Sequence, residues 1–586
     1  MKVKLAKTAG FCMGVRRAVE MVLDAANSQQ GPIYTYGPLI HNPQVLEILA
    51  EKGVTILQDI AHDISGAKLG SVVIRAHGAP PQARQALVDA GFTIIDATCP
   101  RVIKVQTIIS RHAKQGYAAI IVGDKDHPEV VGLLGYAKGM GHVITRPEDL
   151  DKLPHFERAI VVAQTTQDGQ LFDRIARTIA ARFPHFQVFN TICDSTLKRQ
   201  AEVREMSKTV DAVVVVGGRN SGNTQRLAQV VEQKGVPAFH VESEAELDRE
   251  AIESLNAVGI TAGASTPNWV IKKVYRTLEA LPYQVRGQWR HTVFRIQRWL
   301  LLSNLYLALG AGCLSYTCAL LSGNKPSFAS ALMAACYVLS MHILNNFIGK
   351  EAVRYNDPDR AGFYDHNRLL LLTLAIISGA VGLFMAFTLG PVPFLILCTI
   401  SLLGIFYKVK IIPERLKIGK KIQRISDVPG SKTVLIALAW GIVTVVLPHL
   451  SVSLQMTTTL IFVSLWASVM AFVRTAFFDI LDMQGDRIVG QESLPIVLGE
   501  RRTFRILKQL LVIFLAAHLF APMMQLATTL AYGMILSVFY MAAVLMAFER
   551  HWIVPGFRFE FLVETLFVFT AVVSGVWQVF AWGYFT

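Results

Sequence analysis

Three cysteines are the residues best suited to chemistry in the first half of this 586-residue chain. Cys12, Cys99 and Cys193 are the only cysteines before residue 300, and each precedes a helical pattern. A zinc finger supplies its thiols in close pairs such as C-x-x-C, which these segments lack. Three separate thiolates are typical of a [4Fe–4S] cluster that leaves one iron open to substrate. The alternative interpretation is three unrelated free cysteines, which are common in buried positions.

Polar side chains follow five apolar, β-rich runs in the same half of the chain. Buried strands that alternate with helical patterns predict parallel α/β layers, in which ligands bind beyond the carboxyl ends of the strands. Five such endings favour one shared site. The small residues of the segment 217–224 suit a phosphate cradle at a helix start, or a plain helix cap. The residues at the five endings are His77, His127, Thr165, Ser221 with Asn223, and Ser265.

The three cysteine segments also resemble one another. Each places its cysteine at a helix start, with Arg or Lys about one turn later. A helix N-terminus favours the thiolate form of cysteine. Three similar α/β units around a pseudo-threefold axis would bring the sulfur atoms together, so we predict a three-lobed α/β domain.

From Trp299 onward, charged residues disappear over long stretches. A helix needs about 20 apolar residues to cross a bilayer, so three of these stretches fit one span each and three fit two. We therefore predict an all-α domain of nine transmembrane helices over 299–586. A basic linker over 283–298 precedes it, and the α/β domain occupies 1–282. The charge-free runs are 299–324, 326–349, 369–407, 433–473, 509–548 and 565–586.

Basic residues lie on one side of the predicted spans. They cluster around 350–368, 408–432, 487–508 and 550–558 and are almost absent from the opposite connections. The positive-inside rule then predicts that the α/β domain faces the cytoplasm from the inner or cell membrane. The net charge of +14 largely reflects this asymmetry, so we expect no nucleic-acid partner. The basic linker suits a membrane surface.

Nine motifs in the first half occur in the order seen in one enzyme family. They are GFCMGVRRAV, GPLIHN, RAHG, DATCP, HPEVVG, QTT, the Cys193 segment, NSGNT and ITAGASTP. Residues 1–282 therefore resemble the LytB/IspH family of 4-hydroxy-3-methylbut-2-enyl diphosphate reductases. The resemblance implies a [4Fe–4S] cluster held by Cys12, Cys99 and Cys193. It also implies formation of isopentenyl and dimethylallyl diphosphate, the last step of the non-mevalonate isoprenoid pathway, with ferredoxin or flavodoxin as electron donor.

The same resemblance implies roles for individual side chains. Glu129 supplies the proton. By itself, a histidine in a loop is more often a solvated or capping residue, so these roles depend on the whole set. The residues implied to bind substrate are His41, His77, His127, Thr165, Ser221, Gly222, Asn223 and Ser265.

Three aspartates stand out in the second half. Asp479, Asp482 and Asp486 are spaced i, i+3 and i+7, so they share one helix face. Crowded carboxylates repel unless a cation lies between them, and Mg²⁺ bridging a diphosphate is the obvious one. A solvated helix end is the alternative.

This half resembles the UbiA-type prenyltransferase family in its predicted spans, in GDRIVGQESLP and in VPGSKT. The resemblance implies that two aspartate-rich motifs hold Mg²⁺ and a prenyl diphosphate, whose prenyl group passes to an acceptor. The first motif departs from the family pattern, because Gly349 and Val353 stand where aspartates are expected. Asn345 remains, and Asp359 and Arg360 complete a candidate diphosphate loop.

The combined prediction is a bifunctional isoprenoid enzyme whose partners are prenyl diphosphates, an electron donor and membrane lipid. Three alternatives remain open. The membrane domain is a non-catalytic anchor or prenyl-diphosphate binder, the whole chain is a membrane-anchored iron–sulfur redox sensor, or the fusion is purely structural.

Overall fold

The computed structural model describes residues 2–28, 31–58, 63, 67–281, 288–408 and 424–582. Contacts divide the chain into two compact units, Met1–Val285 and Arg286–Thr586. Of the predicted linker 283–298, residues 283–287 lie outside the described part, and the remainder begins a helix of the second unit.

The first unit contains three four-stranded sheets in which every strand pairing is parallel. Their orders are β1-β12-β10-β11, β3-β2-β4-β5 and β7-β6-β8-β9. The strands are β1 (Lys2–Leu5), β2 (Ile33–Tyr36), β3 (Val54–Leu57), β4 (Ser71–Ile74), β5 (Thr93–Asp96), β6 (Ala118–Val122), β7 (Gly141–Ile144), β8 (Ala159–Ala163), β9 (Gln187–Phe189), β10 (Ala212–Val216), β11 (Ala238–Val241) and β12 (Ala257–Ala262).

The three sheets share one topology. The sets β2–β5 and β6–β9 each run second, first, third, fourth across the sheet, and so does the set β10, β11, β12, β1. The chain thus passes through the same four-stranded unit three times, with β1 completing the unit that β10 begins. This arrangement fits the predicted three-lobed α/β fold.

Burial explains the strands. Strand β10 consists of an alanine and four valines, all with no exposed surface, because helices cover both faces of a parallel sheet. Proline occupies the first helical position of α2–α5, where its missing N–H costs no helical hydrogen bond. The helices are α1 (Met13–Ser28), α2 (Pro43–Glu51), α3 (Pro81–Asp89), α4 (Pro100–Ala113), α5 (Pro128–Leu134), α6 (Gly169–Arg182), α7 (Asp194–Met206), α8 (Gly222–Glu232), α9 (Arg249–Glu253) and α10 (Asn268–Ala280).

The second unit is helical throughout its described residues. A π-helical turn, Ile442–Val446, joins α18 to α19 so that together they form one continuous segment. The helices are α11 (Gln288–Leu302), α12 (Leu305–Leu321), α13 (Phe328–Ile348), α14 (Lys350–Asn356), α15 (Pro358–His366), α16 (Arg368–Leu389), α17 (Pro391–Ile405), α18 (Ser431–Gly441), α19 (Leu447–Leu450), α20 (Thr458–Ile488), α21 (Leu494–Leu498), α22 (Glu500–Phe520), α23 (Leu530–Glu549) and α24 (Phe557–Trp582).

Seven segments in the described part are long and apolar enough to cross a bilayer. An eighth results if α11 and α12, which meet at 74°, count as one broken span. Asn304 lies at this break with φ of 61°, and it accepts a hydrogen bond from Arg360. Helix α17 is apolar but has only 15 residues, so it is not counted among these segments. These helices fit an integral membrane protein, while the count of nine spans stays a prediction.

Candidate functional site

The site residues of the first unit occupy equivalent places in its three sheets. The first strand of each set leads to His41, to His127 with Glu129, and to Ser221 with Gly222 and Asn223. The third strand leads to His77, Thr165 and Ser265, and the fourth to Cys12, Cys99 and Cys193. All of these side chains line one cavity. The structure therefore brings together every residue that the sequence predicted for this site.

Each cysteine stands at the start of a helix. Cys99 and Cys193 are the N-cap residues of α4 and α7, and Cys12 directly precedes α1. A Cβ atom on Gly14 would lie 2.4 Å from the Cys99 sulfur, so glycine is required where α1 passes this thiol. Burial raises the pKa of Cys99, and the neighbouring Cys12 and Cys193 thiolates raise it further.

This donor set fits a [4Fe–4S] cluster. Thiolates are the ligands that such clusters prefer, and no fourth cysteine lines the cavity among the described residues. Three thiolates whose charges oppose one another need a positive partner, which bound iron provides. A cluster held by these three sulfur atoms would keep one iron without a cysteine ligand.

Arg199 on α7 is a member of the site that sequence analysis missed. Its side chain is buried, and its guanidinium donates hydrogen bonds to the backbone oxygens of Ala262 and Gly10 at 3.1 and 2.6 Å. Burial lowers the pKa of Arg199, whereas interaction with Cys12 and Cys193 raises it. The guanidinium therefore places a positive charge beside two of the thiols. The only signal in the sequence was the basic residue that follows each cysteine.

Three histidines form one wall of the cavity. Their ring centroids lie 5.0 to 6.0 Å apart, and the candidate ligand nitrogens lie within 4.8 Å of one another. Burial lowers the pKa of His41, that of His77 strongly, and that of His127 to about 4. Imidazoles at this spacing could ligate a metal ion, but the nearby Arg75 guanidinium disfavours a further cation.

Several buried polar atoms on this wall lack partners. His41 Nε2, His77 Nδ1 and Asn223 Nδ2 form no hydrogen bond within the described part of the chain. Because an unsatisfied buried donor costs about 1–3 kcal/mol, such atoms point to a polar ligand. Neutral imidazole and amide N–H groups suit an anion.

The opposite edge of this wall is the start of α8. Ser265 Oγ lies within hydrogen-bond distance of the backbone oxygen of His41, at 3.3 Å, and of Ser221 Oγ, at 3.2 Å. A Cβ atom on Gly218 would lie 2.5 Å from the same His41 oxygen. The loop thus presents hydroxyl groups and the N–H groups of a helix start at close range, as a phosphate site requires.

Glu129 lies on α5 and is 1% exposed. Its carboxyl group accepts hydrogen bonds from the backbone N–H of Thr165 at 2.7 Å and from the Thr165 hydroxyl at 2.9 Å. Burial outweighs these two hydrogen bonds and raises the pKa of Glu129 to about 7. Such a carboxyl group can hold a proton at neutral pH and release it during turnover.

The three aspartates of the second unit lie on α20. Asp479 and Asp486 are 3% and 1% exposed, which disfavours a solvated helix end. Asp479 accepts a hydrogen bond from the Thr433 hydroxyl, and Lys432 Nζ lies 4.0 Å from its Oδ1 atom. Asp486 accepts a hydrogen bond from Asn356 at 2.8 Å. Its second oxygen, Oδ2, has no hydrogen-bond partner among the described residues.

The candidate diphosphate loop has contacts of a different kind. Arg360 pairs with Asp357 and Glu560 and donates to Asn304. Asp359 pairs with Arg298 at 3.4 Å. The Asn345 backbone oxygen accepts from the N–H of Gly349. Internal contacts therefore engage Arg360 and Asp359, and their role in binding diphosphate stays a prediction.

Comparison with known proteins assigns both units. Residues 3–279 match the family model described as LytB protein, and residues 328–563 match the UbiA prenyltransferase family. A protein of Solidesulfovibrio magneticus named 4-hydroxy-3-methylbut-2-enyl diphosphate reductase is 47% identical over 288 residues, which cover 48% of this chain and all of the relative. A protein of the same name from Geobacter sulfurreducens is 40% identical over 287 residues, which cover 49% of this chain and all of the relative.

Two solved structures illustrate the two halves. The structure of the E-1-hydroxy-2-methyl-but-2-enyl-4-diphosphate reductase from Plasmodium falciparum is 27% identical, with a TM-score of 0.46, and the match covers 51% of this chain and 98% of that one. A UbiA homolog from Archaeoglobus fulgidus, bound to GPP and Mg²⁺, is 13% identical, with a TM-score of 0.36, and the match covers 47% and 98%.

The assignment depends on the family models and on relatives matched over their full length. The chain therefore belongs to the LytB family through residues 3–279, and a UbiA prenyltransferase family domain follows at residues 328–563.

Proposed function

We propose that the first unit converts 4-hydroxy-3-methylbut-2-enyl diphosphate to isopentenyl and dimethylallyl diphosphate. The reaction consumes two electrons and two protons and releases the allylic hydroxyl group as water. One observation carries the proposal: a single cavity joins three thiols, a wall of buried nitrogen atoms that lack hydrogen-bond partners among the described residues, and a buried carboxyl group.

The thiols define the redox end of the cavity. A [4Fe–4S] cluster bound by Cys12, Cys99 and Cys193 would supply electrons singly and Lewis acidity at its open iron. Arg199 offsets part of the negative charge that gathers there. A ferredoxin or flavodoxin is the proposed electron donor.

The histidine wall and the α8 start would hold the diphosphate. His41, His77 and Asn223 offer ring and amide nitrogens that lack hydrogen-bond partners among the described residues, and Ser221 and Ser265 offer hydroxyl groups. N–H and O–H groups that the fold already holds in position can stabilise negative charge without a metal ion. A redox sensor would not need such a wall, so this alternative is disfavoured.

Glu129 would provide the proton. At its pKa of about 7, half of the carboxyl groups are protonated at neutral pH. The Thr165 hydroxyl is hydrogen-bonded to Glu129 Oε2, and Thr165 also lines the cavity. This hydroxyl can therefore pass the proton toward the substrate oxygen.

We propose prenyl transfer for the second unit. The buried, unpartnered oxygen of Asp486 beside Asp479 and Asp482 fits a hard cation such as Mg²⁺. Mg²⁺ would supply charge neutralisation for a leaving diphosphate. The alternative of a passive anchor does not explain why carboxylates are buried at this end of α20, since buried charges are costly without partners.

The predicted orientation extends this proposal. Each charge-free run coincides with one or two apolar helices, so we retain nine spans, with α17 as a short one. Helix α11 exposes Trp289, Val293, Ile296 and Trp299 on one face, as expected for a helix that lies along a membrane surface. The basic connections support a cytoplasmic location for the first unit, as we propose.

An anaerobic assay of the purified full-length protein tests the reductase. Reduced methyl viologen and 4-hydroxy-3-methylbut-2-enyl diphosphate should yield both C5 diphosphates, with two equivalents of viologen oxidised per product. Protein that carries iron and sulfide but oxidises no viologen with this substrate would overturn the assignment. For the second unit, a labelled prenyl diphosphate and a lipid extract should yield a labelled lipid only when Mg²⁺ is added.

A further inference from the structure

The three aspartates on α20 differ in what surrounds them. Asp479 has protein partners on both oxygens, the Thr433 hydroxyl on Oδ2 and the Lys432 ammonium 4.0 Å from Oδ1. Asp486 has a partner only on Oδ1, where the Asn356 amide donates at 2.8 Å. Its Oδ2 atom is buried and has no partner within the part of the chain that the structure describes. Lys432 thus contacts the Asp479 end of the acidic face directly, whereas one oxygen at the Asp486 end has no hydrogen bond among the described residues.

The partner of Asp486 is held in place by a close backbone approach. A Cβ atom on Gly485 would lie 1.9 Å from Asn356 Oδ1, so a larger residue at this position would displace the Asn356 amide. The Asn356 amide then fixes the plane of the Asp486 carboxylate. Because Asp486 Oδ2 is buried and forms no hydrogen bond among the described residues, it favours a bound cation.

Lys432 remains within reach of a ligand. Its side chain is 49% exposed, whereas that of Asp479 is 5% exposed. A single contact at 4.0 Å leaves other N–H donors of the ammonium group for a second anion. The carboxylates on the neighbouring segment, Asp357 and Asp359, already pair with arginines. The acidic face therefore has one fixed cation at its Asp479 end.

From this asymmetry we infer that the second unit binds its prenyl diphosphate with one divalent cation and one lysine. The divalent cation lies at the Asp486 end, with Asp482 one turn away on the same face, and Lys432 contacts the diphosphate from the Asp479 end. Lys432 thus serves in place of a second metal ion. The inference rests on the proposed prenyl-transfer function and specifies how many metal ions its site holds.

Mn²⁺ is a suitable probe because its binding is followed by electron paramagnetic resonance. The unsubstituted full-length protein and the Asp486→Asn variant are each titrated with Mn²⁺ in the presence of geranyl diphosphate. The difference between the two gives the number of Mn²⁺ ions whose binding depends on Asp486. We expect one such site per chain. Lys432→Gln should keep this Mn²⁺ site, with equal or tighter affinity, and should weaken Mn²⁺-dependent geranyl diphosphate binding roughly 10- to 100-fold. The control Lys508→Gln, which removes an exposed lysine paired with Glu549, should change neither quantity.

The outcomes separate two kinds of failure. Two Asp486-dependent Mn²⁺ ions per chain, or unchanged geranyl diphosphate affinity in Lys432→Gln, would overturn the single-metal site and leave prenyl transfer standing. Absence of any Asp486-dependent binding of Mn²⁺ and geranyl diphosphate in the unsubstituted protein would overturn the prenyl-transfer function together with the inference.

Discussion

Substitution of Glu129 by glutamine tests the proposed proton source most directly. Glutamine keeps the size of the side chain and can still accept from Thr165, so the cavity should keep its shape. It cannot release a proton, however. Loss of a general acid lowers turnover by roughly 10²- to 10⁴-fold, so we expect Glu129→Gln to keep the cluster absorbance and lose activity within this range.

The dependence of turnover on pH in the unsubstituted enzyme provides a second quantitative test of Glu129. With a pKa of about 7, the protonated fraction of Glu129 falls about tenfold between pH 6 and pH 8. If proton transfer from Glu129 limits turnover, turnover should also fall about tenfold between pH 6 and pH 8. Since the Thr165 hydroxyl lowers the pKa of Glu129, Thr165→Val should move this fall to higher pH.

The assay is anaerobic oxidation of reduced methyl viologen at saturating substrate, measured in half-unit steps from pH 6 to pH 8. The control is Glu148→Gln, which alters an exposed carboxylate of the same lobe and should match the unsubstituted enzyme. Near-normal turnover in Glu129→Gln would refute the role of Glu129. A flat pH profile in the unsubstituted enzyme would refute a proton transfer from Glu129 that limits turnover.

Three further predictions concern the same cavity. Gly14→Ala should displace the Cys99 thiol and abolish the visible absorbance of the cluster, whereas Gly31→Ala, whose Cβ atom would meet no atom within 4 Å, should leave it intact. Asn223→Ala should raise KM for substrate by roughly 10- to 100-fold with little change in kcat, because one hydrogen bond to a charged group is lost; an unchanged KM would remove this residue from the diphosphate site. Arg199→Gln should lower the reduction potential of the cluster by roughly 40–90 mV, from a charge interaction of about 1–2 kcal/mol, and a redox titration that gives the same or a higher potential would contradict this reasoning.

The convergence of the three cysteines was predictable because each carried the same local pattern. Polar residues at strand ends behave alike, since parallel strands deliver their carboxyl ends to one edge of a sheet. His77, Thr165 and Ser265 could therefore be assigned to one site before any contact was known. The shared order of strands was not predictable, because pairing between distant strands leaves no trace in a single short segment.

Contacts between remote segments account for what sequence reasoning missed. The need for glycine at position 14 arises from a thiol 85 residues away, and Arg199 acquires its role only where α7 meets the loop of Gly10. The sequence suggested Arg360 as a diphosphate ligand because its ion-pair partner could not be foreseen. That partner, Glu560, lies 200 residues further along the chain. The length of α17 could not be predicted either, because the charge-free run 369–407 does not show where a turn divides it into two helices.

Strand β1 carries a consequence for biosynthesis. Residues Lys2–Leu5 pair with β12, so the first strand of this unit finds its partner only when the last strand of the unit has been made. At synthesis rates of 5–20 residues per second, this delay is roughly 13–50 s. The lobe that carries Cys12 is thus completed last, when the ribosome has begun to translate the apolar helices. The Cys12 thiol therefore reaches its place beside Cys99 and Cys193 only while the second unit is being translated.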